Sequence, residues 1–217
     1  MIFNKPIIMK KILLTSLSVL CLATAHAQDK KEDPIKLKGV EVVNDYHENI
    51  SWIKSKPIAL VKKDFLESAY EVSYIQIYFG MYVKDSVQHM TPIRLVNRYR
   101  DTDWIFFDEV SYLLGTKKEI KAGKGVVFKI TDNQTNTDVN RGISERSDVV
   151  ADENAIAFIK YVLSHNTGLN IRYTSNHNNK YVELDVPDGT EKLQKHFQVL
   201  IDYYNMFNEK FGLNQGF

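Results

Sequence analysis

Residues 72–84, VSYIQIYFGMYVK, alternate apolar and amphipathic side chains with a period of two. That is the period of a β-strand, in which successive side chains point to opposite faces of a sheet. The segment therefore predicts a strand with one core face and one aromatic face, and it restricts the chain to folds built on a half-buried sheet. The core face would hold Ile75, Ile77, Phe79, Met81 and Val83, and the aromatic face Tyr74, Gln76, Tyr78, Gly80 and Tyr82.

The aromatic stretch WIFF at 104–107 is either the wall of a binding site or part of a strand that is covered on both faces. Residues 93–100 and 103–110 can pair as a hairpin around the polar turn between them. In that register Tyr99 lies opposite Trp104, as cross-strand aromatic pairing prefers. The aromatic density then has a structural cause, and we predict a strand rather than a binding wall.

Several shorter segments have the composition of strands bounded by polar turns. Together they predict a meander of antiparallel strands. Residues 44–71 give conflicting signals, because Pro57 blocks a long helix through that point, while residues 59–70, ALVKKDFLESAY, fit either a short helix or two bent strand pieces. The other predicted strands are 39–43, 119–121 after a hairpin tip at 115–118, 125–130, 143–150, and a hairpin of 169–175 with 180–186.

Two segments have the period of an amphipathic helix, at about 152–165 and 189–211. Asp188 and Glu191 resemble a capping box at the start of the second helix, and Gly212 ends it. A helix of that length with one apolar face buries a large area, at roughly 25 cal/mol per Å², and so belongs across a sheet. The predicted fold is α+β: an antiparallel, meander-like β-sheet with both helices packed on one face, in a two-layer sandwich.

The N-terminus reads as an export signal rather than as part of the fold. Lysines precede an apolar run at 12–22 that is too short to span a bilayer, and the run is followed by a small-residue site at 25–27. We therefore predict that residues 1–27 are a cleaved signal peptide. A lipoprotein anchor at Cys21 is disfavoured, because Leu20 stands where a small residue is needed.

After the signal we expect a flexible leader over 28–37 and a single α+β domain over 38–217. The only cysteine of the chain lies in the signal, so the mature chain is cysteine-free and relies on core packing rather than disulfides. A formal net charge of +1 gives no basis for a nucleic-acid partner. No second apolar stretch has membrane-spanning length. We expect a soluble exported protein, periplasmic or extracellular.

The common catalytic and cofactor motifs do not occur. The chain contains no G-x-S-x-G, S-x-x-K, P-loop or dinucleotide glycine pattern, and no histidine pair at the spacing of a zinc helix. We expect no cofactor and favour a non-enzymatic role. Asp108 keeps an enzymatic alternative open, because it falls on an otherwise apolar face of its predicted strand. It is either a catalytic carboxylate or a structural one bound by Asn97 or a backbone amide.

Two sets of side chains are candidate contacts for a ligand or partner. Tyrosines spaced by four on one face of a strand can stack on sugar rings or a peptide, or can be covered by a helix or loop. Arginines on one face of the predicted hairpin can meet a lipid phosphate or a carboxylated glycan, or can pair with Glu109. The sets are Tyr74, Tyr78 and Tyr82, and Arg94, Arg98 and Arg100.

The polar loop 131–142 is the best candidate for a metal site, because calcium prefers several oxygen ligands within a short segment. Its spacing lacks the glycine and glutamate that the EF-hand rule requires. A solvated loop without metal is the alternative. The candidate ligands are Asp132, Asn136, Asp138 and Asn140.

These observations favour a non-enzymatic binding module that contacts an envelope protein or a glycan or lipid component through its sheet. The alternative is a periplasmic hydrolase that uses carboxylate chemistry, with Asp108 as its first candidate residue. The sequence identifies neither the ligand nor the oligomeric state.

Overall fold

The computed structural model describes residues 37–61, 72–132, 136–138, 143–213 and 217. The predicted signal, nearly all of the predicted leader and the candidate ligand Asn140 lie outside them. Within the described residues no helix has the length and hydrophobicity needed to cross a bilayer. The elements, in chain order, are β1 (Val40–Asp45), β2 (Ile50–Ser55), β3 (Ile58–Ala59), β4 (Tyr74–Lys84), β5 (Val87–Met90), β6 (Arg94–Asp101), β7 (Glu109–Gly115), α1 (Lys117–Lys121), β8 (Val126–Thr131), β9 (Asn136–Asp138), β10 (Ile143–Val150), α2 (Glu153–Ser164), β11 (Gly168–Ser175), β12 (Lys180–Asp185) and α3 (Glu191–Phe211).

The strands form two antiparallel sheets. The large sheet has eight strands in the order β1-β2-β4-β6-β10-β9, with β3 and β5 also paired to β4. The small sheet has four strands in the order β12-β11-β7-β8. The α+β class and the antiparallel, meander-like strands are confirmed. The single sheet of the prediction is wrong, because the chain passes from the large sheet to the small one after β6.

The central strand β4 has the alternation that its sequence predicts. Ile77 and Phe79 are fully buried beneath α3, and the Phe79 ring meets the ring of Tyr204 edge-on with centroids 5.1 Å apart. Val83 is the exception on this face, because it lies near the exposed end of the strand. The apolar face of β4 therefore forms the floor of the main core.

The two long helices cover different sheets. Phe158 of α2 stacks on Tyr112 of β7 with ring centroids 3.9 Å apart, and Tyr161 meets Phe128 of β8. Helix α3 packs instead on β1, β2, β4 and β5, and the helices also touch each other. The two helices predicted at 152–165 and 189–211 are therefore present, but their packing on one face of one sheet is not confirmed.

The predicted hairpin of 93–100 with 103–110 is wrong. Strand β6 pairs with β4 on one side and along its whole length with β10 on the other, while β7 begins at Glu109 in the small sheet. Residues 102–108 form a loop between the sheets. The predicted hairpin register has good local complementarity. However, β4 and β10 already satisfy the backbone hydrogen bonds of β6 on both of its edges, so 103–110 cannot pair with it.

The capping signals act at a different place from the predicted one. The predicted hairpin tip at 115–118 and short strand at 119–121 are wrong, because helix α1 begins at Lys117. The Glu119 N–H donates to the Thr116 hydroxyl at 3.2 Å, and the Thr116 N–H donates to the Glu119 carboxylate at 2.8 Å. Asp188 does not cap α3, whose first turn follows Thr190 without a side-chain cap. The T-x-x-E pattern that begins at Thr116 is therefore a capping box, and it caps α1.

The segment with conflicting signals, 44–71, resolves in part. Strands β2 and β3 lie on either side of Pro57, so no helix passes through that point. For residues 59–70 both alternatives stay open, because only 59–61 belong to the described residues. Residues 62–71 lie outside the described part of the chain.

Candidate functional site

The outer face of the large sheet, opposite α3, carries the predicted tyrosines and arginines side by side. The register of β4 with β6 places Tyr74 opposite Arg98 and Tyr78 opposite Arg94. The guanidinium carbons lie 5.9 Å and 6.0 Å from the respective ring centroids, within the range of cation–π contacts. Both rings are buried, and together with Val96 and the partly buried Trp52 they form a second, smaller hydrophobic cluster on this side of the sheet. Two sets of residues that the sequence suggested separately are therefore one surface.

Asp148 of β10 organises this surface. Its carboxylate accepts hydrogen bonds from the Tyr78 hydroxyl at 2.8 Å, from Nε of Arg94 at 2.8 Å and from Nη2 of Arg146 at 2.6 Å. Both guanidinium groups stay partly exposed while one carboxylate fixes their positions. We call Tyr74, Tyr78, Arg94, Arg98, Arg146 and Asp148 the Tyr–Arg face.

Two of the predicted contact residues lie at the margin of this face. The ring of Tyr82 stacks on His89 of β5 with centroids 5.3 Å apart, away from the arginines. Arg100 lies opposite Ser144 near the end of β6. Nη2 of Arg98 donates to the same Ser144 hydroxyl at 2.9 Å, so Arg100 borders the face without joining its hydrogen-bond network in the described contacts.

The Tyr78 hydroxyl predicts a pH dependence of stability. Burial, followed by the hydrogen bond to Asp148 and its negative charge, raises the pKa of Tyr78 from 10.0 to about 12. An unfolded tyrosine thus loses its proton first, and the stabilising contribution is fully present below pH 10 and lost as pH rises through 12. Urea unfolding at stepped alkaline pH should show the wild type losing stability faster than Tyr78→Phe. At neutral pH Tyr78→Phe should be less stable by about 1–2 kcal/mol. Parallel pH profiles for the two proteins would contradict this assignment.

Asp108 lies at a cleft rather than on a strand. Its carboxylate accepts the backbone N–H of Asn176 at 3.2 Å and the side-chain Nδ2–H of Asn176 at 2.6 Å. Nε2 of His177 is 3.8 Å from the same carboxylate. The backbone amide that we expected as a partner is that of Asn176, whereas Asn97 instead accepts the hydroxyl of Tyr112. Asp108 thus fastens the β11–β12 turn to the loop between the sheets.

Three of the four candidate calcium ligands, Asp132, Asn136 and Asp138, lie in the described part of the chain. Asp132 accepts the backbone N–H of Asp148 at 3.3 Å, and Asn136 and Asp138 belong to β9, where they pair with β10. The described residues contain no group of three or more His, Cys, Asp or Glu side chains that could hold a metal ion. Asn140 lies outside those residues, so the calcium hypothesis stays a prediction.

The loop at 102–108, which we call the crossover loop, has a strained backbone. Phe106 has φ = 57°, in the left-handed region that a bulky residue rarely adopts. The backbone N–H groups on either side of it, those of Ile105 and Phe107, donate to the carboxylate of Glu145 at 2.6 Å and 2.9 Å. Glu145 is 0% exposed. One buried carboxylate therefore holds the strained turn in place.

The crossover loop separates two clefts. Trp104 and the Phe106 ring stack with centroids 5.5 Å apart and an interplanar angle of 13°. On the Trp104 side lies a cleft of about 400 Å³ that is also lined by Tyr181 of β12. On the Phe106 side lies a cleft of about 260 Å³, lined also by Asp108 and His177. The WIFF stretch is thus a wall of two clefts, which reverses the prediction of a doubly covered strand.

Several residues that shape these surfaces have no signal in the local sequence that would reveal their role. Glu145 and Asp148 alternate faces of β10, where one enters the core and the other joins the Tyr–Arg face. Their polar segment, ISERSDVV, was identified as a strand, but a charged residue within a strand gives no sign of which backbone groups it binds. The left-handed backbone of Phe106 could not be predicted either, because this conformation is usually adopted by glycine, asparagine or aspartate rather than by phenylalanine.

No known protein family matches this chain, and no curated protein or solved structure shows significant similarity to it.

Proposed function

We propose that this chain is an exported, non-enzymatic binding module of the periplasm or cell envelope. It contacts an envelope partner that carries anionic groups, through the Tyr–Arg face. The observation that carries the proposal is the clamp at Asp148, which holds the guanidinium groups of Arg94 and Arg146 in fixed positions while leaving them partly exposed. Preorganised side chains lose less conformational entropy on binding than free ones, so such a face is suited to recognition.

The charge of the face supports an anionic partner. The outward positions of β6 and β10 carry four arginines but one acidic residue, Asp148. The arginines are Arg94, Arg98, Arg100 and Arg146. Arg98 and Arg146 lie directly opposite each other in the ladder, and the single charge of Asp148, which pairs with Arg94 and Arg146, neutralises only part of the positive charge at these positions. Carboxylate, phosphate and sulfate groups all match this donor pattern.

The test is capture of partners from envelope extract by the tagged chain over 28–217 after mild crosslinking, with bound molecules identified by mass spectrometry. A specific companion should be captured by the wild type and bind Arg98→Gln about tenfold more weakly, because one contact to a charged group contributes on the order of 1.4 kcal/mol. Affinity should also fall with salt, since exposed charges are screened.

A matched variant separates the face from general charge. Lys129→Gln removes the same charge from the small sheet, where Lys129 pairs with Glu109 at the surface. It should bind the companion as the wild type does. Equal losses in Arg98→Gln and Lys129→Gln, or a companion that is indifferent to both, would refute the proposed contact surface.

The carboxylate hydrolase stays a second hypothesis. It is favoured by one arrangement, the proximity of the Asp108 carboxylate to Nε2 of His177 at 3.8 Å within a cleft. We rank it below the binding module, because the Asp108 carboxylate already has a structural role, in which it accepts the backbone and side-chain N–H groups of Asn176.

A further inference from the structure

The crossover loop fixes an aromatic side chain in solvent. The neighbouring side chains of Ile105 and Phe107 are buried, yet the Phe106 ring is 54% exposed. A single exposed apolar residue needs no explanation, but an exposed phenyl ring on a left-handed backbone does, because the strain persists only where the surrounding structure enforces it. This is a feature of the kind found at ligand sites.

The surrounding contacts fix the loop from several sides. Besides the two hydrogen bonds to Glu145, the Asp108 N–H donates to the Thr174 carbonyl at 2.9 Å, and the Asp132 N–H donates to the Asp108 carbonyl at 2.9 Å. These bonds tie the loop to the small sheet and to the end of β8. The backbone that carries the Phe106 ring is therefore fixed before any ligand arrives, which lowers the entropic cost of binding.

The aromatic surfaces are arranged for stacking. Phe106 and Trp104 form a stacked pair, and Tyr181, 62% exposed, lines the larger cleft together with Trp104. The guanidinium of Arg172 lies 4.8 Å from the centroid of the Tyr181 ring and steadies it. The flat faces of these rings are suited to the apolar C–H face of a ring-shaped ligand.

The polar lining is rich in acceptors. The larger cleft carries Asp101 and Asp103, and the smaller one Asp108 and Asp132. Carboxylates at these walls repel anionic ligands and accept hydrogen bonds from hydroxyl groups. Lys180 and the amide of Asn179 add donors in the larger cleft, whose volume is within the usual range of small-molecule sites.

We propose that the crossover loop and its two clefts form a binding site for a neutral oligosaccharide, whose rings stack on Trp104, Phe106 and Tyr181 while their hydroxyl groups donate to the flanking carboxylates. This site is separate from the Tyr–Arg face and does not depend on the function proposed for that face. The opposite charge of the two surfaces suits them to different ligands.

The test uses titration of the full mature chain with chitotetraose, cellotetraose and maltotetraose, and with pentalysine as the cationic competitor. Tryptophan emission reports where the oligosaccharide binds, because Trp104 and Trp52 are the only tryptophans of the chain and Trp52 lies on the large sheet. At least one oligosaccharide should change the emission saturably in the millimolar range or below. The change should be absent in Trp104→Phe.

The decisive variant is Phe106→Gly, because glycine adopts the left-handed backbone without strain and only the ring is lost. Its affinity by calorimetry should be at least tenfold weaker at an unchanged melting temperature, and Tyr181→Ala should weaken binding in the same direction. Tyr46→Ala removes a ring that is 74% exposed in another turn, and should bind as the wild type does.

Several results would overturn the proposal. They are the absence of a saturable response to every oligosaccharide, a response to pentalysine alone, and binding that survives both Phe106→Gly and Tyr181→Ala.

Discussion

Replacing Glu145 by alanine is expected to lower the free energy of unfolding by about 3–5 kcal/mol. The carboxylate is fully buried and accepts the N–H groups of Ile105 and Phe107. Without it, two buried donors lose their acceptors, each at a cost of about 1–3 kcal/mol. The left-handed backbone of Phe106 also loses its restraint. Urea denaturation monitored by circular dichroism measures the change.

Two further variants make this prediction specific. Glu145→Gln keeps the shape but leaves only one acceptor oxygen, so it should lie between the wild type and Glu145→Ala. Glu183→Ala removes an exposed carboxylate paired with Arg172 and should cost less than about 1 kcal/mol. A loss in Glu145→Ala no larger than that in Glu183→Ala would show that the crossover loop does not rely on Glu145.

Replacing Gly189 by alanine is expected to destabilise the protein by about 3–4 kcal/mol. Gly189 has φ = 54°, and a Cβ there would lie 2.2 Å from the carbonyl oxygen of Thr167. That oxygen also accepts the N–H of Thr190 at 2.8 Å, so it cannot move away without breaking the junction between β11 and the start of α3. Left-handed strain and steric overlap therefore add. Thermal and urea denaturation both report the loss.

Gly212 provides the matched control. It has φ = 61° at the C-terminal cap of α3, but a Cβ there meets nothing within 4 Å. Gly212→Ala should then carry the backbone strain alone, about 1 kcal/mol. Similar losses for both glycines would mean that the contact with Thr167 is relieved by a small shift of the chain, and that the junction is softer than its hydrogen bonds indicate.

The strands and helices whose pattern repeats over many residues could be predicted from the sequence. The alternation in β4, the stripe along α3 and the αL glycine at its end are each encoded within one segment, so no knowledge of the rest of the chain is needed. The chemistry of the Tyr–Arg face was also visible as residue types. Its geometry was not, because Asp148 lies 54 residues from Arg94 in the chain.

The sequence by itself determined where most strands and helices form, because side-chain periodicity is a local property of the chain. Only the tertiary structure decided which strands pair, since β6 had an attractive local partner in the wrong place and two better ladders elsewhere. It also decided that Trp104 and Phe106 line clefts, because the carboxylate that holds their loop arrives from β10. Strand pairing and burial depend on the relative free energies of contacts between segments that are distant in the chain. A single stretch of sequence does not contain its distant partners, so it cannot reveal which contact is the more stable.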